Sequence, residues 1–527
     1  MWCRRSERRL CACSLDDEAR KRASTETLDV SMTSVLGIAA CCDPDITYMP
    51  RNARIPQVDR TDRRLRLIAE MIAEVADERG HGDTWLERSK AEHCVIADAM
   101  WLRVQQRLEA AQTDAPRVLI DGEPYKQLEQ ESSCLYHGLW GAHVVHEPLY
   151  RREDVRNGPT IHPLDVVVGV VDGSLLPDLA LAAGGLAAVQ TTREVEVTLE
   201  RLGFRPPSRS TLKNRLDGLF DEMATTAREL EQKVREQEKL DFELGSISSG
   251  LDRFSTRMRE TLPEGTQRDA KLAARRGRTY ERTPIDPYEC NWRMAWAGNV
   301  TLYDTDGVAR RSLRYGLDAG GDVDQLVARM VDEVVSLVER RSDIPVVTIQ
   351  DGAPELDVLV RALREHLPEG VPRWQLVDYH HAISYLDEVI SARDDGDPCD
   401  MRRTYRTWLL DEDDGAQRVV GHLRREAAKP DLEPAVVSAT HAALTYFEKR
   451  RPLMKYKDAR EQGMPIGSGA TESTCALHQL RVKHPGSQWG VPGLRGVITA
   501  RALQLSGRFD AAFGHHHATL LADVMPA

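Results

Sequence analysis

The chain reads as a multidomain α/β protein: a helical N-terminal region, then a mixed sheet-and-helix domain that a mostly helical insertion interrupts. Three observations predict this. Apolar residues recur at helical spacing from Arg60 to Gln112, and residues 160–240 read as helical again. At Phe242 the pattern changes to strand-like runs that then alternate with helices. From about residue 388 to 462 it is helical once more, broken by acidic loops.

The elements follow in order. Residues 1–58 show weak periodicity and clustered charge and read as a variable, disordered tail. Residues 59–155 form a first domain: "RRLRLIAEMIAEVADE" and "DAMWLRVQQRLEAAQ" are helices, and "RVLIDGEPYKQL" with "CLYHGLWGAHVVHEPLYRRED" are short strands turning at Asp121-Gly122. Residues 156–240 contain helix, Gly/Pro turn and helix in "TTREVEVTLERLGFRPPSRSTLKNRLDGLF", with Ser208 or Ser210 as N-cap. That segment resembles a helix-turn-helix, with Arg209, Lys213 and Arg215 available to phosphates or bases. A helical hairpin of any α domain reads the same way. The polar run "DEMATTARELEQKVREQEKL" extends the second helix as a connector.

Residues 241–387 change character. "ELGSISSGLDRF" is a strand, and "NWRMAWAGNVTLYDTDGVARRSLRYGL" is two strands turning at Asp306-Gly307. Apolar residues at 323, 326, 327, 330, 331, 334, 335 and 338 mark one face of a helix. The strand "PVVTIQ", the helix "PELDVLVRALREHL", the strand "RWQLVDY" and a helix from His380 follow. Strands that begin with an antiparallel pair and then alternate with helices describe a ribonuclease-H-like layout, by analogy at the level of fold. Residues 388–462 are a helical insertion, 463–513 carry the last core helix, and 514–527 are a tail.

Composition bounds the function. The 527 residues are 41% hydrophobic and 29% charged, with a formal net charge of −12. Between Thr445 and Arg508, however, eleven Lys/Arg face four Asp/Glu, a local balance of +7. That suits a polyanionic partner or a solvated basic face. Ten cysteines without a CxxC pair or a disulfide framework fit a reducing cytoplasm. "MWCRRSERRL" has no apolar run behind it, which predicts no secretory signal. No uninterrupted run reaches about 18 apolar residues, so "VVVGVVDGSLLPDLALAAGGLAAV" reads as buried helices and no membrane partner is expected.

"GMPIGSGATES" (463–473) looks at first like a phosphate-cradling loop, yet Ala470 stands where a P-loop requires Lys. What remains is a Gly-Ser-Gly turn delivering Glu472 to a helix. Asp252 lies within the first strand of the layout, and Asp351 ends the fourth. The three acids are 99 and 121 residues apart, so only a fold brings them together. Such a trio suits phosphodiester chemistry, because two Mg²⁺ ions roughly 3.5–4 Å apart activate a nucleophile and stabilise the scissile phosphate. Hard oxygen donors match Mg²⁺. Each acid also has a plainer reading: Asp351 as a turn or N-cap residue, and Glu472 as a helix-dipole partner. Asp252 is harder to set aside, since aspartate is unfavourable inside a strand. Asp378, ending the fifth strand, is a rival or accessory carboxylate.

Nine segments carry a resemblance. They are "YHGLWGAHVVHEPLYRR", "GPTIHPLDVVVGVVDGSLLPDLA", "PPSRSTLKNRL", "GLDRFSTRM", "WRMAWAGNVTLYDTDG", "TIQDGAPEL", "LVDYHHAISYL", "PIGSGATES" and "RVKHPGSQWGVPGLRGVITARAL". In this order they resemble bacterial insertion-sequence transposases of the DDE class, the Kra group. The resemblance spans Tyr136 to Leu503 and departs in residues 1–58 and, loosely, after Glu472. It implies a helical N-terminal DNA-binding region before an α/β ribonuclease-H-like catalytic domain with a mostly helical insertion. It implies metal-binding catalytic roles for Asp252, Asp351 and Glu472, with two Mg²⁺ or Mn²⁺ ions, and it makes Asp378 and His381 the family's Asp-x-x-His pair. The implied function is cleavage at transposon ends and strand transfer into target DNA. The partners are double-stranded terminal inverted repeats and target DNA, bound by a homodimer or larger oligomer in the bacterial cytoplasm, at the nucleoid. Arg481 and Lys483, along the helix from Glu472, would hold phosphates; Trp489 either stacks on a base or packs. A nuclease without strand transfer, or an inactive DNA-binding regulator, would share these residues.

Overall fold

The computed structural model describes residues 62–80, 84–261, 288–393, 398–430 and 432–527. The expected tail of residues 1–58 lies outside them. The chain divides into two units, Met1–Glu78 and Arg79–Ala527. In the first, the described element is α1 (Arg63–Glu78), opened by Asp62, whose Oδ1 accepts from the Arg64 amide at 2.7 Å.

The second unit holds two five-stranded sheets. The first has the order β10-β1-β2-β3-β4, from β1 (Arg117–Ile120), β2 (Glu123–Gly138), β3 (Gly141–Arg152), β4 (Thr160–Ile161) and β10 (Val524–Pro526). Asp121 and Gly122 both take positive φ, 49° and 82°, the geometry of a tight two-residue hairpin. The strands β2 and β3 are long rather than short, and β4 pairs β3 only at Tyr150 and Arg151. That leaves an open edge on β3. Helix α2 (Trp85–Ala111) and its C-cap cover it with side-chain donors: Trp101 to the Ala142 carbonyl (2.9 Å), Gln105 to Val144 (3.1 Å) and Gln112 to His146 (2.5 Å). Alternate carbonyls that would template another strand are thus occupied.

The other edge is closed from the far end of the chain. Val524–Pro526 pairs antiparallel with β1, so residues 514–527 are not a tail. Three residues of strand carry no periodic signal of their own, which is why the sequence reading misses them.

Next come α3 (Pro163–Val168), α4 (Pro177–Ala187), α5 (Thr192–Arg201), α6 (Arg209–Thr225) and α7 (Ala227–Gln237). Ser208 caps α6, accepting from the Thr211 amide at 3.4 Å. The expected continuous connector breaks at Thr226, between α6 and α7. Nor is α7 simply solvated: its Glu231 is buried against Arg329 (2.9 Å), and Arg235 is buried beside Glu333 (3.5 Å). Its polar sequence disguises buried ion pairs.

The second sheet has the order β7-β6-β5-β8-β9. Its strands are β5 (Leu244–Thr261), β6 (Tyr288–Asp304), β7 (Ala309–Leu317), β8 (Val346–Gln350) and β9 (Arg373–Val377). β5, β6 and β7 are mutually antiparallel, whereas β8 runs parallel to β5 and β9 parallel to β8. The crossovers are α8 (Val323–Val338) and, after a 3-10 turn at Pro354–Leu356, α9 (Asp357–His366). Leu326, Met330 and Val334 of α8 and Leu359 and Leu363 of α9 pack on Ile247, Leu251, Val300 and Leu313.

Helices α10 (Tyr379–Ser391), α11 (Pro398–Asp411), α12 (Gly415–Ala427), α13 (Pro434–Arg450) and α14 (Tyr456–Glu461) share a separate core built on Leu386, Tyr405, Val419, Leu423 and Phe447. The opposite face of the second sheet is covered by α15 (Gly469–Val482) and α16 (Val491–Leu505); α17 (Phe509–Ala518) follows. Gly250 sets how closely α15 approaches β5, since a Cβ there would lie 2.0 Å from Thr471 Oγ1.

Candidate active site

The strand register brings the acids together. In the parallel β5–β8 ladder Ser249 pairs with Thr348, an offset of 99 residues, and Asp252 and Asp351 have the same offset. Asp252 is half-buried within β5, and Asp351 is the residue immediately after β8. Gln350 of β8 pairs with Val377 of β9, so Asp378 is the next residue along that register. The β5–β8 ladder ends at Ser249–Thr348, three residues short of the acids, so Asp252 continues β5 past it while Asp351 and Asp378 stand at the C-terminal ends of β8 and β9, Asp351 close enough to Asp252 to act on its charge.

Asp252 titrates above the usual carboxylate range, first because it is buried and further because Asp351 is close; the Arg253 amide (2.6 Å) and the Cys475 thiol (3.5 Å) oppose the shift. Asp351 Oδ1 accepts from the Ala353 amide at 2.8 Å, which shapes the turn into α9. The loop backbone is fixed from the insertion: Tyr446 donates to the Asp351 carbonyl (3.3 Å) and Arg450 to the Gly352 carbonyl (2.7 Å).

Asp378 is buried and caps α10, accepting from the His380 amide (2.7 Å) and the His381 amide (3.4 Å). Its other oxygen takes a hydrogen bond from Ser468. The same Ser468 hydroxyl lies 3.1 Å from Oε1 of Glu472, in the first turn of α15. Ser468 thus joins Asp378 to Glu472 instead of capping its own helix. The glycines of this turn have unequal roles. Gly467 leaves room for His380, whose Cδ2 would lie 2.9 Å from an added Cβ, whereas Gly469 has open space around it. The His381 ring packs edge-on against Tyr385 and Tyr446 at 5.5 and 5.7 Å.

As placed, no three His, Cys, Asp or Glu side chains among the described residues are grouped to hold a metal ion. Two features still match a hard divalent cation. The donors are carboxylate oxygens, and the Asp252–Asp351 pair concentrates negative charge where a cation would relieve it.

The expected DNA contacts divide. Arg209 and Lys213 are exposed on α6, Lys213 paired with Asp217, while Arg215, its side chain 41% exposed, donates to the Asp172 carbonyl at 2.8 Å. The loop from α5 to α6 is longer than the three or four residues of a helix-turn-helix, and α6 packs against α16, where a Cβ added at Gly496 would lie 2.8 Å from Cβ of Phe220. Arg481 departs from its expected role. It is only 7% exposed and donates to the Ala187 carbonyl at 3.0 Å, with its guanidinium 5.2 Å from the Trp489 ring centre. Burial lowers its pKa to about 10. Trp489 packs, its indole donating to the Val482 carbonyl at 2.8 Å. Lys483 is exposed.

The basic stretch 445–508 is thus partly consumed internally. Arg501 reaches the Leu477 and Ala188 carbonyls, and buried Arg508 binds Glu238 and Glu333. Sequence reasoning also missed Ser468 and Cys475 as neighbours of the carboxylates. Their one signal was position, four residues before and three after Glu472.

No protein-family model and no curated protein matches the chain. Among solved structures it is similar to the crystal structure of a pre-cleavage Mos1 transpososome, with 13% sequence identity and a TM-score of 0.14, over 58% of this chain and 83% of that one. A likeness that slight assigns neither fold nor activity. Among the described residues no helix is long and apolar enough to cross a membrane.

Proposed function

We propose that the chain is a DNA transposase of the DDE class, built on a ribonuclease-H-like domain, which cleaves at transposon ends and transfers the strand into target DNA. The observation that carries this reading is the closeness of Asp252, within β5, to Asp351, at the C-terminal end of the neighbouring parallel strand β8, with Glu472 tied by Ser468 to Asp378, the residue after β9. The strand order β7-β6-β5-β8-β9, antiparallel and then parallel, supports the fold assignment.

Asp252, Asp351 and Glu472 would hold two Mg²⁺ ions, or Mn²⁺ in their place. Bound Mg²⁺ supplies positive charge at the scissile phosphate and eases deprotonation of the attacking hydroxyl. The protein's own part is positional. The sheet fixes the two aspartates, while Glu472 sits on a helix whose approach Gly250 sets and whose first turn Ser468 anchors. Of the contacts expected from the sequence, Arg209, Lys213, Arg215 and Lys483 keep exposed side chains to meet phosphates of terminal and target DNA. Two ends must be joined, which calls for a dimer or larger assembly on DNA.

Terminal-repeat DNA incubated with the protein and Mg²⁺, resolved on a gel, tests the reading. Wild type should yield strand-transfer products and Glu472→Gln should yield none. Cleavage without joining would make the chain a nuclease, and binding without any cleavage would make it a regulator.

A further inference from the structure

β8 stops pairing with β5 at Ser249 and β7 stops pairing with β6 at Trp296, but β5 and β6 continue together to Thr261 and Tyr288 as a two-stranded ribbon. Its two faces differ. On one, Phe254, Met258 and Ala295 bury against Val482, Trp489 and Leu494. The backbone of Trp489 fastens this ribbon in both directions: the Arg259 amide donates to the Trp489 carbonyl (2.7 Å) and the Trp489 amide to the Arg257 carbonyl (3.1 Å).

The other face pairs Arg253 with Trp296, Ser255 with Met294 and Arg257 with Trp292. Trp292 is 62% exposed and Met294 46%. The Arg253 guanidinium is 5.4 Å from the Trp296 ring centre, and Lys483 Nζ is 5.8 Å from that of Trp292. The nearby carboxylates are already engaged: Glu260 by Arg293 (2.6 and 2.9 Å) and by Asn291 (2.8 Å), and Glu355 by Arg253. Exposed Arg257 and Lys483 therefore flank an exposed indole on a fixed frame.

An indole held open beside cations is the surface on which unpaired bases stack, because every base offers a π-face and every linkage a negative charge. Duplex DNA keeps its base faces covered, so a single strand suits this surface better. We propose that this face of the ribbon binds single-stranded nucleic acid, with a base stacked on Trp292 and phosphates against Arg257 and Lys483. The inference rests on the DNA-processing reading for the kind of polymer. Trp292 lies opposite Arg257, five residues past Asp252, roughly 17 Å along the strand.

Binding of the full chain to a fluorescein-labelled twelve-nucleotide single strand and to a blunt duplex of equal length, measured by anisotropy in EDTA, tests this without chemistry. Trp292→Ala should weaken single-strand binding about tenfold and leave duplex binding unchanged, while Trp292→Phe retains most of the affinity. Arg257→Ala with Lys483→Ala should flatten the salt dependence of single-strand binding. Equal single-strand affinity for wild type and Trp292→Ala overturns the proposal, as does an equal loss on duplex. A wild type that stacks single strands yet never cleaves would refute the transposase reading and leave this one standing.

Discussion

Sγ of Cys475 lies 3.5 Å from Oδ2 of Asp252, which sets the second turn of α15 against the strand carboxylate. Burial, and then Asp252 itself, hold this thiol protonated, so it donates to the carboxylate rather than competing as a thiolate. A soft sulfur beside hard oxygen donors makes the site vulnerable to thiophilic metals, which displace the thiol proton on binding. Cd²⁺ should therefore inhibit Mg²⁺-dependent cleavage by wild type, and Cys475→Ser should raise the half-inhibiting Cd²⁺ concentration about tenfold. Identical inhibition curves for the two proteins would remove Cys475 from the site.

Ser468 has one hydroxyl hydrogen and two carboxylate neighbours, Asp378 and Glu472. Asp378 keeps two backbone donors without it, whereas the Glu472 carboxylate has only this tether among the described residues. If Glu472 must leave Ser468 to serve a metal, the tether competes with loading by about 1 kcal/mol. Ser468→Ala should then lower the Mg²⁺ concentration for half-maximal cleavage roughly fivefold. An unchanged or higher Mg²⁺ requirement would show that Ser468 positions Glu472 instead.

The elements that position the carboxylates have local signals. The apolar run before Asp351 is short and lies between helical patterns, and an aspartate within strand-like "SGLDRF" stands out against its neighbours. What escaped notice depends on partners far away in sequence. Arg481 looks like a phosphate ligand until the Ala187 carbonyl, 294 residues earlier, takes its hydrogen bond. The polar face of α7 looks solvated because Glu231 finds Arg329 only in the fold. Charge in a sequence gives the sign of a side chain but not whether a distant group already satisfies it.

Glu333 shows how much such buried pairs hold. It accepts from Arg508 at 2.7 and 2.9 Å, from the Tyr315 hydroxyl at 2.9 Å and from Arg235 at 3.5 Å, joining α8 to β7, α7 and the residue that opens α17. Removing its charge leaves two buried guanidinium groups undercompensated. Glu333→Gln should destabilise the protein by about 3–5 kcal/mol in urea unfolding. A loss below about 1 kcal/mol would mean that water replaces the carboxylate there.

His478 ties acid sensitivity to the same helix as Glu472. Its ring is fully buried, stacked on Phe254 with ring centres 5.6 Å apart, and Nε2 lies 3.2 Å from the Tyr315 carbonyl. Burial pushes its pKa down to about 3 from 6.5, with Arg501 adding to the fall. The unfolded chain therefore takes up this proton first. Stability from the neutral ring is complete above about pH 6.5 and is lost as pH falls toward 3. Between pH 6.5 and 5 that loss comes to about 1.7 kcal/mol. Urea melts at both pH values should show wild type losing more than His478→Gln by roughly that amount, even though the variant starts less stable. Parallel losses in the two proteins would place the acid-sensitive group elsewhere.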